Sequence, residues 1–201
     1  MGHSTGCQDV MEYLTGKGHQ NRSPIDGGVI QAPASDREAM LMNDNDGTYE
    51  KGCETAQKMI DAGEGNAIMP SKLTGFGNCP VTAKRYLSLA SPNHDGDDDY
   101  FSSDLSDEKL MKSFGALPAR SPLLILFSGK DEYVPKHTDV PALVKRWIAI
   151  TKKGKGVVDE DNSGILEGAS HNLSESPDAC VNDLVKRVLA FLGGLQMQSN
   201  L

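Results

Sequence analysis

The chain has 201 residues and a formal net charge of −8, with 38% hydrophobic and 24% charged residues. That length suffices for one domain with a real core, and the composition is that of an ordinary globular chain. The acidic balance argues against nucleic acid or an anionic membrane surface as partner, since both are held through basic patches. No apolar run reaches the roughly 20 residues that a membrane-spanning helix requires.

Met1 to Ser4 carries neither a basic region nor an apolar stretch, so no secretory leader is expected. The four cysteines, Cys7, Cys53, Cys79 and Cys180, form no C-x-x-C pair, and none has a histidine at metal-ligand spacing. Four reduced thiols, most of them buried, and a cytoplasmic location are the expectation.

In chain order, Cys7 to Leu14 reads as a helix with Val10, Met11 and Leu14 on one face and Thr15-Gly16 as its stop. After a polar loop, Ile25 to Ala32 reads as a short strand, whose Gly27 and Gly28 imply close packing against a neighbour. Asp36 to Met42 suits one or two helical turns, and Thr48 to Ala62 a longer helix closed by Gly63. From Gly65 to Ala119 Pro, Gly, Ser and Asp are frequent, and only two helices stand out, near Val81 to Ala90 and from Ser106 to Phe114. So long a stretch between core elements reads as a cap-like insertion, 65–119, in a single partial domain, 1–201.

Pro122 to Ser128 is unbroken and apolar, the pattern of a strand buried on both faces of a parallel sheet. A helix over Val140 to Thr151, a strand around Gly164 to Glu167 and a last helix over Pro177 to Leu192 follow. The last helix carries Val181, Leu184, Val185, Val188, Leu189 and Leu192 on one side. Strands alternating with helices predict an α/β domain with a parallel sheet. Only three strands are evident, fewer than the 4–6 typical of a sheet.

Three motifs carry chemistry. Gly2-His3-Ser4-Thr5-Gly6 is a G-x-S-x-G pentapeptide directly ahead of a helix. A nucleophilic serine needs such a sharp turn, and the helix behind it points N–H groups at a developing oxyanion, with Thr5 N–H as one donor. Only Met1 precedes Gly2, so no strand is expected in front of the turn. Asp131, in Phe127-Ser128-Gly129-Lys130-Asp131, lies just past the strongest strand, where a carboxylate can orient a histidine. His171, in Gly168-Ala169-Ser170-His171, lies between the last strand and the last helix and suits a general base. The order Ser4, Asp131, His171 is that of α/β-hydrolase triads. Asp36, after the earlier strand, is the second candidate for the acid.

The plainer readings are a capped turn at Ser4, an Asx-turn at Asp131 and a solvated loop histidine at His171. His3 is expected to pack rather than react, His19 and His94 to be solvated, and His137 to begin a helix. Asp44-Asn45-Asp46-Gly47 fails as a calcium loop, because Met42 and Cys53 would occupy its first and last ligand positions. With no P-loop and no G-x-G-x-x-G, no cofactor or metal is expected.

Residues 2–14 and 26–38, with the Ser128-to-Pro135 and Gly168-to-Leu173 segments, resemble the DUF1749 family of α/β-hydrolase-like proteins, over essentially the whole chain. The resemblance implies the C-terminal part of an α/β-hydrolase fold, with a parallel sheet, flanking helices and a cap-like insertion. It also implies a serine esterase with Ser4 as nucleophile, His171 as base and Asp131 as acid. The substrate implied is a small-molecule ester, siderophore esters included, and no nucleic acid or membrane partner is implied. Family members carry a further upstream segment that holds the first strands and a second oxyanion donor, and this chain departs in lacking it. The alternative is a truncated, non-catalytic chain that at most binds a partner through an unpaired sheet edge.

Overall fold

A computed structural model of the chain describes residues 1–77 and 79–199. Those residues form two compact units, one made of residues 1–34 and 103 onward, the other of Ser35–Ser102.

The first unit is an α/β layer. Four strands, β1 (Gly2–His3), β2 (Gly28–Gln31), β3 (Leu123–Ser128) and β4 (Gly164–Leu166), pair in the order β1-β2-β3-β4, every pair parallel. Helix α1 (Gly6–Thr15) follows β1. The sequence reading finds no strand ahead of the Ser4 turn, and the structure corrects this. Gly2 lies opposite Ile30 and His3 opposite Gln31, so a two-residue strand forms the edge of the sheet. The Ser4 N–H extends that ladder, donating to the Gln31 carbonyl at 3.1 Å.

Strand β3 is buried along its whole length. Leu124 and Leu126 join Val29, Leu166, Ala169, Cys180 and Phe191 in one core cluster. Its Phe127 reaches Trp147, which stacks on Phe114 at a centroid distance of 4.9 Å. Alternate residues of one strand thus meet opposite layers, which is why the run is apolar without alternation. Gly27 and Gly28, at the entry to β2, show the same division. A Cβ on Gly27 would press on Phe191 and Leu195, and one on Gly28 on Leu14 and Val10 of α1.

The second unit, Ser35–Ser102, holds α2 (Asp36–Met42), α3 (Thr48–Asp61) and α4 (Ala83–Ala90) around a core of Tyr49, Cys53, Ala56, Met69, Val81, Tyr86 and Leu89. Arg37 and Asp99 form an ion pair at 3.0 Å that is almost fully buried. The Ser35 and Ser102 hydroxyls bond to each other at 2.6 Å. The insertion expected over 65–119 overlaps this unit without matching it, because α2 and α3 pack with α4 and residues 103–119 belong to the first unit.

In the first unit α5 (Asp107–Lys112) starts at the Ser106 cap, whose side chain accepts from the Lys109 N–H. Helix α6 (Val140–Lys153) buries Leu143, Val144, Trp147 and Ile150. Helix α7 (Asp178–Ser199) runs past Gly193 and Gly194, where the sequence suggests a stop. Its apolar positions divide into two faces. Leu184, Val188, Phe191 and Leu195 pack on the core, whereas Val181, Val185, Leu189 and Leu192 are exposed. Cys7, Cys53 and Cys180 are buried free thiols, and Cys79 is exposed. No helix among the described residues is long and apolar enough to cross a membrane.

Candidate active site

A parallel sheet delivers the C-terminal ends of all its strands to one edge, and loops leaving that edge converge. Ser4 follows β1, Asp131 follows β3 and His171 follows β4. Residues 4, 131 and 171 are therefore neighbours because the strands are parallel.

Ser4 occupies the left-handed region, φ 53, which a residue with a Cβ rarely adopts. The turn is held by the Ser4 carbonyl, which accepts from the Cys7 N–H at 2.8 Å, and by the Thr5 carbonyl, which accepts from Gln8 N–H at 3.1 Å. Strain of this kind persists only where surrounding bonds over-determine it. Beneath the turn, Cys7 Sγ donates to the Gln31 carbonyl at 3.1 Å and approaches that of Gly2 at 3.4 Å. Burial pushes its thiol up to about 12, so it packs as a neutral group.

The two glycines of the pentapeptide have different jobs. A Cβ on Gly2 would overlap the Gly6 carbonyl and lie 2.8 Å from the Cys7 nitrogen, whereas one on Gly6 meets nothing within 4 Å. Gly2 is required by the close return of the helix start over the strand. Gly6 is not.

His171 is buried beside this turn. Ser4 Oγ lies 2.8 Å from His171 Nε2, and His171 Nδ1 lies 2.8 Å from Asp131 Oδ2. A carboxylate can only accept, so Nδ1 carries a proton and Nε2 of the neutral ring accepts from the serine hydroxyl. The Asp131 side chain is 1% exposed. Its other oxygen, Oδ1, accepts from the Tyr133 N–H at 3.0 Å, so the carboxylate is fixed from both ends. Main-chain bonds dock the two loops together. Gly129 N–H donates to the Leu166 carbonyl at 3.0 Å and Lys130 N–H to the Ala169 carbonyl at 2.8 Å.

Thr5 stands at the start of α1 with helical φ and ψ, and its N–H has no hydrogen-bond acceptor among the described residues. A developing negative charge on an atom bound at Ser4 would face this N–H and the positive end of the helix. Asp36 begins α2 in the second unit, and the carboxylate at His171 Nδ1 is that of Asp131. His137 lies in the turn ahead of α6 rather than beginning it. Among the described residues no group of three or more His, Cys, Asp or Glu side chains could hold a metal ion.

Three neighbours of His171 escape the sequence reading. His3 is exposed, yet its ring packs against that of His171 with centroids 5.0 Å apart, and its Nε2–H donates to the His171 carbonyl at 3.0 Å. Glu132 Oε2 accepts from the His171 N–H at 3.0 Å, and this bond holds the Glu132 carboxyl below the usual carboxylate range. The Tyr133 ring meets the imidazole edge-on at 4.7 Å. The sole trace of Glu132 in the sequence is its place next to Asp131.

The model of a family described as "Protein of unknown function (DUF1749)" matches residues 1–193. The fusarinine C esterase sidJ of Aspergillus fumigatus is 37% identical over 234 residues, covering 97% of this chain and 66% of its own length. The esterase AN6793 of Emericella nidulans is 33% identical over 244 residues, covering 98% of this chain and 65% of its own. Among solved structures, the siderophore hydrolase EstB from Aspergillus fumigatus matches with a TM-score of 0.79 at 38% identity, over 97% of this chain and 65% of that one. The chain thus spans about 66% of the length of the first of these relatives, and about as much of the others. The architecture is that of an α/β hydrolase, a parallel sheet with flanking helices.

Proposed function

Because this chain belongs to the DUF1749 family, we propose that it carries the catalytic residues of a serine esterase acting through an acyl-enzyme. The observation that carries this reading is the pair of 2.8 Å contacts running from Ser4 through His171 to Asp131. In this reading His171 Nε2 takes the Ser4 proton as Oγ attacks the ester carbonyl, and Asp131 stabilises the imidazolium that forms. Thr5 N–H donates to the oxyanion of the tetrahedral intermediate. Collapse of the intermediate expels the alcohol, which takes the proton from His171, and leaves Ser4 acylated. Water, deprotonated by the same imidazole, then attacks the acyl-enzyme and frees the carboxylic acid.

The substrate class is a small-molecule ester. Relatives named as a fusarinine C esterase and a siderophore hydrolase favour ester-linked siderophores within that class. The test is covalent labelling of the chain by a fluorophosphonate, with hydrolysis of a p-nitrophenyl ester measured alongside. Ser4→Ala is expected to abolish both, and labelling that survives in this variant would overturn the assignment.

A further inference from the structure

His171 sits in an irregular loop, where no helix or strand ladder fixes its peptide group. Its main-chain bonds run instead to side chains from another loop and from strand β1. The N–H is held by Glu132, 39 residues away, and the carbonyl by His3, 168 residues away. The imidazole direction depends on that peptide plane, because the side chain hangs from it through two torsions. Asp131 holds the ring at Nδ1, and Glu132, the next residue, holds the main chain from which the ring hangs. The Tyr133 N–H donates to the Asp131 carboxylate at 3.0 Å within this turn, while the Glu132 carboxylate meets the His171 N–H.

We propose that Glu132 is a positioning residue, which with His3 clamps the main chain of His171 and so sets the distance from Nε2 to Ser4. The inference deepens the serine-esterase reading and rests on it. Glu132 is exposed and at 3.0 Å bonds a main-chain group, so its work here is to fix a direction rather than to transfer a proton. A bond to an ionised acceptor is shorter and stronger than a neutral one. The same bond lowers the proton affinity of the carboxylate, which favours its ionised form.

The clamp depends first on the reach of the side chain and only second on its charge. Glu132→Gln keeps an acceptor oxygen at the same distance. Glu132→Asp keeps the charge but is one methylene short. The expected result on the full chain is a phosphonylation rate at Ser4 within about 3-fold of wild type for Glu132→Gln. Glu132→Asp and Glu132→Ala should fall by roughly 10- to 100-fold, as a misplacement approaching 1 Å would cause. On a p-nitrophenyl ester the loss is expected in kcat, with KM held. Hydrogen exchange at the His171 amide should be slow in wild type and Glu132→Gln and fast in the other two. A reactive wild type matched by Glu132→Ala overturns the clamp alone, as does a Glu132→Asp that outperforms Glu132→Gln. A wild-type Ser4 that does not react overturns the esterase reading beneath it.

Discussion

Gly2→Ala and Gly6→Ala differ by the same methyl group and should have opposite outcomes. At Gly2 the added Cβ lands 2.8 Å from the Cys7 nitrogen and overlaps the Gly6 carbonyl, all main-chain atoms of the elbow. Ordinary contact lies near 3.5 Å, so the mildest of these overlaps alone requires about 0.7 Å of backbone movement, with no side chain to give way. The moving atoms flank Ser4 and Thr5, and a displacement near 1 Å costs about 10²-fold in rate. Overpacking of this kind also destabilises by roughly 1–3 kcal/mol, or about 2–12 °C in Tm for a chain of this size. At Gly6 a Cβ meets nothing, and replacing glycine within a helix gains up to about 1 kcal/mol. Fluorophosphonate labelling rates and thermal melts of the two variants give the answer. Equal damage in both, or a harmless Gly2→Ala, would refute the steric account of the motif.

Asp131→Asn should lower kcat by about 10⁴-fold while the fold is kept, because an amide selects the wrong imidazole tautomer. Asp36→Asn should stay within a few-fold, and esterase assays of the pair would reverse the assignment if the order were inverted. Cys7 gives a pH signature. Its thiol pKa rises from 9.0 to about 12 in the fold, so the folded state keeps a proton that the unfolded state releases. Its contribution to stability is therefore intact below pH 9 and declines as pH climbs from 9 toward 12. The stability gap between wild type and Cys7→Ala, read from denaturant melts, should narrow across that window, and a constant gap would remove the argument.

Much of the candidate site is written into the sequence because the proposed chemistry calls for particular residue types at the ends of strands. Ser4, Asp131 and His171 each stand in a short, characteristic segment, and β3 announces itself because both its faces are buried. What is illegible is non-local or main-chain in origin. Strand β1 has two residues, too few for any periodicity, and exists only through its register with Ile30 and Gln31. Glu132 and His3 meet the peptide group of His171, a partner no side-chain pattern can encode. Helix α7 shows the limit of periodicity itself. Its apolar residues populate two adjoining stripes, and spacing alone cannot say that Leu184 and Val188 face the core while Val185 and Leu189 face outward.

The bond between Ser35 and Ser102 has a consequence for how the chain assembles. Strands β2 and β3 are sheet neighbours, yet residues 32–122 separate them. Joining the ends of so long a free segment is entropically costly and slow. Ser35 and Ser102 are the two ends of the second unit and are bonded to each other, so the chain enters and leaves that unit at one point. The sheet then registers the whole of the Ser35–Ser102 unit as little more than a tight connection. Lengthening or replacing what lies beyond that point should leave the pairing of Gly28–Gln31 with Leu123–Leu126 undisturbed, which makes this the place where such a chain can diversify without refolding its core.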